Sequence, residues 1–503
     1  MNGIHAPQRL WRFYGDRALM IVILLMSAAM RTNLTYRSAF VDEAITLFTG
    51  WNLLRGEQTM ALNTRMGWPP ISCIPLGLAD QVGGLAAARG VNAACGVLTV
   101  ALVMLMARRL YGRAAGYVAG GIWAVSGIAI FVSTFAHSDS LSLLFFSGGL
   151  YAWVVASGRH SRWLYPTGSL LLTLSVLTKY PAVVPVLMAF FCGAVWIARE
   201  MIHVTASDTD GWTVHMSRPR LVDVSLGLTP FLLLPIYVFL VRDALLSAWN
   251  TQVLTKSAAQ PGIWWNILSE FLAYAWLPLA LSLPALLVRE KRAQNLGMLL
   301  IGVSLLSYHL LNRDLSTVFK FTTYGLVTLA PLAAAGLTTL VRCGLRRERE
   351  VLQQSILAGL AVAVVAYLGF VGQQSLPGLR SYWSDTSEAI RFLRQEIQEG
   401  ERVLMEGGQV GRYYLITKGE PGHIPAQVVD TWWYQDDEGS GLEAYQRGIA
   451  EQRFAWIILD YAFTPELNKA LLETMEGRYH LETSFPARRF GHEGQIDLFA
   501  PIP

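Results

Sequence analysis

The stretch Tyr36-Arg37-Ser38-Ala39-Phe40-Val41-Asp42-Glu43-Ala44 follows the first apolar segment of the chain, which runs from Ala18 to Met30. Two adjacent carboxylates just beyond a membrane span are costly to hold near lipid and can accept a proton, so Asp42 and Glu43 are candidates for a catalytic centre. On a helical wheel Ala44, Leu47, Phe48 and Trp51 share one face and Asp42, Thr46 and Thr49 the opposite one. That pattern predicts an amphipathic helix lying on the membrane surface. A second reading of Asp42 is local: its side-chain oxygen would cap the first free N–H groups of that helix, with its charge on the helix dipole.

The 503 residues are 53% hydrophobic and only 15% charged. Soluble chains run nearer ~45–50% and ~25%, so the composition is that of a polytopic α-helical membrane protein. A formal charge of +4 is too small to argue for a nucleic-acid partner, and the basic residues group in particular loops, as they do when they orient membrane spans. Cys73, Cys95, Cys192 and Cys343 lie in or beside apolar segments without paired ligand spacing, which supports neither a disulfide framework nor a zinc site. Arg9, Arg12 and Arg17 before the first apolar run imitate a signal peptide, but no small-residue cleavage site follows, so the run reads as an uncleaved first span.

A span needs about 20 apolar residues, and Lys/Arg-rich connections stay cytoplasmic. Applied along the chain, this predicts spans at 17–35, 87–107, 114–133, 140–157, 164–178, 182–198, 221–241, 269–288, 297–311, 319–341 and 353–373. The region Gly56 to Leu85, with Trp68-Pro69-Pro70, suits a broken helix on the outer side. The basic turns Arg108-Arg109-Leu110-Tyr111-Gly112-Arg113, Arg159-His160-Ser161-Arg162, Arg289-Glu290-Lys291-Arg292 and Arg342 to Arg349 then fall inside. Asp42-Glu43, Ala136-His137-Ser138-Asp139, Lys179, Lys256, Arg313 and Lys320 fall outside, with Trp264-Trp265 at the interface.

About eleven spans make 1–373 a transmembrane domain and put 374–503 on the side of Asp42, beyond the cytoplasmic membrane. This last part is more charged and patterned as a small α/β domain. Asp385-x-x-Glu388 opens a helix with an Ile390/Leu393/Ile397 stripe and a stop at Gly400. Runs 402–405, 413–417, 454–459 and 496–499 read as strands, 465–475 as a helix and 418–442 as a loop.

The ordered set of Asp42-Glu43, Gly56, Pro69-Pro70, the Arg108 to Arg113 turn, Asp139 and Thr178-Lys179 resembles the glycosyltransferase C (GT-C) superfamily, in particular the bacterial protein O-mannosyltransferase-like and aminoarabinose-transferase-like enzymes. The resemblance covers about the first 200 residues and departs at His137, where an arginine often stands. It implies transfer of a sugar from a polyprenyl-phosphate carrier to an acceptor outside the cytoplasm, with the first-loop acidic residue as base. Such a donor carries its own anionic leaving group. One carboxylate to deprotonate the acceptor and cations to steady the phosphate therefore suffice, and a single displacement inverts the anomeric centre.

On this reading Asp42 is the base, Glu43 positions it or the acceptor, and Asp139 joins them, unless Asp139 is a salt-bridge or helix-cap residue. Lys179, His137, Lys256, Arg313 and Lys320 are the phosphate- and substrate-binding candidates, each cation having snorkelling to lipid headgroups as its structural alternative. No cofactor is required, though His137 with Asp42 and Glu43 is a set that could hold a divalent cation. The rival class is a transporter or lipid flippase, against which stands the lack of repeat symmetry and of broken helices near the midplane.

Overall fold

A computed structural model describes residues 6–56, 71–159, 161, 163–206, 212–216, 229–240, 242–243, 246, 262–315, 317–345, 350–417, 427–431, 434–437, 439–461, 464–489 and 492–503. In chain order the helices are α1 (Ala6–Ala29), α2 (Val41–Arg55), α3 (Cys73–Tyr111), α4 (Arg113–Val125), α5 (Gly127–Ser133), α6 (Ser138–Arg159), α7 (Leu164–Thr178), α8 (Val183–Met201), α9 (Leu233–Leu240), α10 (Ile263–Ser282), α11 (Arg292–Asn312), α12 (Val318–Gly344), α13 (Glu350–Arg380), α14 (Ser387–Glu396), α15 (Gly408–Gly411), α16 (Leu442–Ala450) and α17 (Pro465–Met475). The strands are β1 (Ile202–Ala206), β2 (Trp212–Met216), β3 (Arg402–Met405), β4 (Gln427–Asp430), β5 (Gln435–Asp436), β6 (Gly439–Ser440), β7 (Trp456–Leu459), β8 (Tyr479–Arg489) and β9 (His492–Pro501). The chain divides into one unit of Met1–Thr32, Met60–Ser72 and Gly90–Gln374 and a second of Asn33–Thr59, Cys73–Arg89 and Ser375–Pro503.

The first unit is a helical bundle centred on α12, whose apolar window is 83% buried. Small residues let its neighbours approach closely. A Cβ on Gly325 would overlap the Gly302 carbonyl of α11, and one on Gly336 the Leu281 carbonyl of α10. Among the described residues six helices are long and apolar enough to cross a membrane, or seven with α4 and α5 taken as one bent span. The α7 helix and the α8 segment are shorter apolar helices. Most of the expected span at 221–241, and residues 57–70, lie outside the described residues.

The expected straight span at 114–133 is instead broken: Ser126 is extended and α4 and α5 meet at 65°. The break is held from two sides. Arg31, fully buried, donates to Ala124 O at 3.1 Å, a carbonyl near the break, and to Ser133 Oγ at 2.7 Å. Gly372 of α13 lies where a Cβ would sit 2.6 Å from Val125 O. A carbonyl near the kink thus finds a partner inside the protein, which a lipid-facing break could not supply.

The second unit is built on a five-stranded sheet in the order β4-β3-β7-β9-β8. The β4, β3 and β7 strands run parallel, and β9 is antiparallel to both β7 and β8. Leu404, Ile457, Leu459 and Phe499 of the sheet pack with Ala444, Tyr445 and Ile449 of α16 and Leu471 and Met475 of α17. The Ile390/Leu393/Ile397 stripe is buried as expected, and Asp385 Oδ1 accepts from Ser387 N at 3.1 Å where α14 begins.

Two local expectations fail here. Residues 412–417 form a wide helical turn, because Tyr413 and Tyr414 both reach distant partners: Tyr413 OH donates to Asp80 Oδ1 at 2.6 Å and Tyr414 OH accepts from Ala39 N at 2.7 Å. The stretch 418–442, expected as a loop, contains β4, whose register against β3 pairs Val428 with Val403. In both places tertiary hydrogen bonds override local propensity.

The α2 helix also differs from the expected surface helix. Its presumed polar face is inside: Thr46, Thr49 and Asn52 are buried together with Ala44 and Leu47. Gly50 packs so closely on Cys73 and Gly77 of α3 that a Cβ would meet their backbone atoms. The α2 helix is therefore a core element of this unit. The start of α3 is broken at Gly83-Gly84, where Gly84 has φ 69°, in keeping with the broken helix expected before residue 85.

Candidate active site

In the second unit the stretch before α2 is organised by one ion pair. Arg89 Nε donates to Glu43 Oε1 at 2.8 Å and Nη2 to Glu43 Oε2 at 2.7 Å, both side chains fully buried. Its other N–H groups hold the carbonyls of Leu34, Arg37 and Ser38 at 3.0, 3.0 and 3.3 Å. All five guanidinium donors are thus used, and the plane stacks 4.2 Å from the Tyr36 ring. Glu43 Oε2 also accepts from Phe40 N at 3.1 Å, so Glu43, not Asp42, caps α2. Asp42 sits half-buried in the first turn, its carbonyl accepting from Thr46 Oγ1 at 2.8 Å. Loop 36–40 is further laced to residues 383–386 by Trp383 Nε1 to Ser38 O at 3.1 Å and Thr386 N to Ser38 Oγ at 2.9 Å.

In the first unit three of the sequence candidates meet. Lys179 ends α7 in an extended conformation, its Nζ 2.9 Å from His137 Nε2 and 3.2 Å from Asp139 Oδ1. An ammonium has only donors, so in this contact His137 Nε2 is the acceptor. Asn92 Nδ2 holds the loop by donating to His137 O at 2.7 Å and to Phe135 O. The Phe135 ring lies edge-on to His137 at 6.1 Å and carries Lys320 Nζ 4.9 Å from its centroid. Lys179 is one-tenth exposed and Lys320 is buried, so neither is a snorkelling surface lysine. Below them α6 and α7 are latched by Ser142 Oγ to Ser175 O at 2.8 Å and Ser175 Oγ to Ser142 O at 2.9 Å, with Tyr324 OH on Ser142 Oγ at 2.6 Å.

Arg313 is exposed at the end of α11, its guanidinium 5.9 Å from the Trp264 ring, and Lys256 lies outside the described residues. Trp264 and Trp265 are 59% and 69% exposed in the first turn of α10, as interface residues would be. Of the candidate cation set, both Glu43 oxygens are engaged by Arg89 and the Phe40 N–H, and His137 Nε2 by Lys179. Among the described residues no group of three or more His, Cys, Asp or Glu is placed to hold a metal ion.

Arg89 and Asp80 are the participants the sequence reading passed over. Arg89 carried a signal, a lone guanidinium in the apolar run Leu85-Ala86-Ala87-Ala88-Arg89-Gly90.

An apolar bundle with buried ion clusters at its helix ends, joined in sequence to an α/β sheet, defines a multi-pass membrane protein with the fold of the GT-C glycosyltransferases. Residues 69–207 match the family model of dolichyl-phosphate-mannose-protein mannosyltransferases. The chain is similar in structure to ArnT from Cupriavidus metallidurans in the apo state, at 12% identity and a TM-score of 0.60, with 98% of each chain covered. It is also similar to the same protein bound to undecaprenyl phosphate, at 15% identity and TM-score 0.57 with 97% of each chain covered. A third match is the oligosaccharyltransferase AglB from Archaeoglobus fulgidus in complex with an inhibitory peptide and a dolichol-phosphate, at 12% identity and TM-score 0.59, covering 96% of this chain and 74% of that one. No curated protein matches the sequence.

Proposed function

We propose that this chain is a membrane glycosyltransferase that moves a sugar from a polyprenyl-phosphate carrier to a hydroxyl acceptor on the outer face of the cytoplasmic membrane. The observation that carries the reading is that His137, Asp139 and Lys179, gathered in one buried cluster, all fall within the segment matched by the mannosyltransferase model, residues 69–207. The domain reading goes with it: 1–373 in the membrane, 374–503 outside.

In the proposed step the Asp42 carboxylate takes the acceptor O–H proton as the oxygen bonds to the anomeric carbon. The bond from that carbon to the phosphate oxygen breaks, and its electron pair leaves with polyprenyl phosphate. The anomeric centre inverts, and Asp42 later gives its proton to solvent. Lys179, paired with Asp139, and Lys320, over the Phe135 ring, steady the phosphate. Glu43 is a positioning residue: paired with Arg89 and the Phe40 N–H, it fixes where α2 begins and hence where Asp42 stands.

The test is Asp42→Asn, which keeps the shape of the side chain but cannot take the proton. Turnover is expected to fall about a hundred- to ten-thousand-fold with donor binding retained. Turnover within a few-fold of wild type would remove Asp42 from the mechanism.

A further inference from the structure

The charged residues gathered in the first unit stand on three different helices: Asp139 in the first turn of α6, Lys179 at the end of α7 and Lys320 in the first turn of α12. Each has a hydroxyl-bearing residue one helical turn away, where positions three or four apart are neighbours: Ser142 for Asp139, Ser175 for Lys179 and Tyr324 for Lys320. Those three hydroxyl side chains meet one another.

They form one directed chain of hydrogen bonds. Tyr324 OH donates to Ser142 Oγ at 2.6 Å, Ser142 Oγ donates to Ser175 O at 2.8 Å, and the same carbonyl accepts from the Lys179 N–H at 3.0 Å. Ser175 Oγ makes the return bond, donating to Ser142 O at 2.9 Å. Each hydroxyl proton is used once, and Tyr324, Ser142 and Ser175 are fully buried. A buried network with every donor satisfied rigidifies its members in one arrangement.

Tyr324 is the member that brings in α12. The hydroxyls of Thr322, Thr323 and Thr328 bond back to carbonyls of their own helix, whereas Tyr324 reaches across to α6. Its ring is packed separately, with centroids 5.7 Å from Phe146 and 6.4 Å from Phe321. Ring contacts are effective over separations of about 4.5–7 Å, whereas an O–H···O bond is confined to a range of about 0.5 Å. The ring therefore fills space, and the hydroxyl fixes the register of α12 against α6 and α7.

We infer that Tyr324 is a positioning residue that holds the Lys320 ammonium at a set distance from the Lys179 ammonium, so that both meet one lipid phosphate. It rests on the transferase reading above, which supplies the phosphate, and adds a residue that touches neither donor nor acceptor. A lysine is a point charge on a flexible stem, so the precision of a two-lysine clamp comes from the backbone that carries the stems. The relay begins four residues from Lys320 and ends on the Lys179 amide, and thus ties both stems together.

The test is a double-mutant cycle read by isothermal titration of farnesyl phosphate, a short lipid monophosphate, into the full chain in nanodiscs. Tyr324→Phe keeps the ring and leaves Ser142 donating to Ser175 O, so no buried donor loses its partner. It is expected to bind at least about fivefold more weakly than wild type, within the range for residues that act as one network. Lys320→Ala is expected to bind more weakly still. Adding Tyr324→Phe to Lys320→Ala should then change the Kd by less than about twofold, because a spacing has no effect once one of its ends is gone. Should Tyr324→Phe fail to fold, Ser142→Cys replaces it: sulfur is a weak acceptor, so the contact lengthens, and a loss of affinity that vanishes in Lys320→Ala is again expected. The same fold-loss with and without Lys320 would show a tyrosine that only supports the fold and would overturn the inference. Wild type that does not bind farnesyl phosphate would refute the transferase reading and the inference with it. Wild type and Tyr324→Phe binding alike would refute the inference alone.

Discussion

Lys179 is held by the His137 imidazole at 2.9 Å and the Asp139 carboxylate at 3.2 Å and is one-tenth exposed. A charge-assisted hydrogen bond from such a group to phosphate contributes about 1.5–3 kcal/mol, roughly ten- to hundredfold in binding. Lys179→Ala is therefore expected to weaken donor affinity or turnover at least tenfold in a donor titration at fixed acceptor, and Lys179→Arg to retain part of it. Removing one partner of a buried pair also leaves Asp139 uncompensated, so the single variant is expected to lose stability as well. Adding Asp139→Asn should restore the fold and leave the donor defect; recovery of both would make Lys179 purely structural. The sequence supplied the members of this cluster as charged residues at span ends, but no spacing rule brings residue 179 to residue 137. Glu43 shows the same limit: its carboxylate was legible, whereas its partner lies 46 residues away.

At the scale of elements, the close approaches of α12 make a signed prediction. Gly336→Ala would push a Cβ into the Leu281 carbonyl, and backbone on both sides must move, at a cost of about 1–3 kcal/mol. Gly359→Ala on α13 meets nothing within 4 Å and should be neutral or stabilising, since alanine favours helix over glycine by ~0.5–1 kcal/mol. Thermal unfolding in detergent checks this: equal melting points for the two variants would contradict the packing described.

Helix positions such as 164–178 could be read from hydropathy alone, because a long apolar run has few alternatives. The break at Ser126 could not, since what stabilises it is Arg31 and Gly372, distant in sequence. The α2 helix misled the helical wheel for a related reason. Wheel arithmetic assumes one apolar side, but α2 is buried on both, and its threonines face protein.

At the scale of the molecule, the grouping of basic residues in alternate loops predicts that residues 374–503 lie outside the cytoplasm. A reporter fused to the C-terminus, active only beyond the cytoplasmic membrane, should be active; activity of a cytoplasmic reporter there would make the span count wrong by an odd number and put Asp42 on the wrong side. The central claim is sugar transfer from a lipid monophosphate, and release of the carrier tests it most directly. Purified full-length protein in nanodiscs is incubated with a panel of polyprenyl-phosphate hexoses and pentoses and a cell-envelope glycan extract as acceptor. Polyprenyl phosphate is then quantified by mass spectrometry. The account predicts release from at least one donor that depends on the acceptor and collapses in Asp42→Asn; donors recovered intact across the panel, or carried unchanged across the bilayer of a proteoliposome, would contradict it.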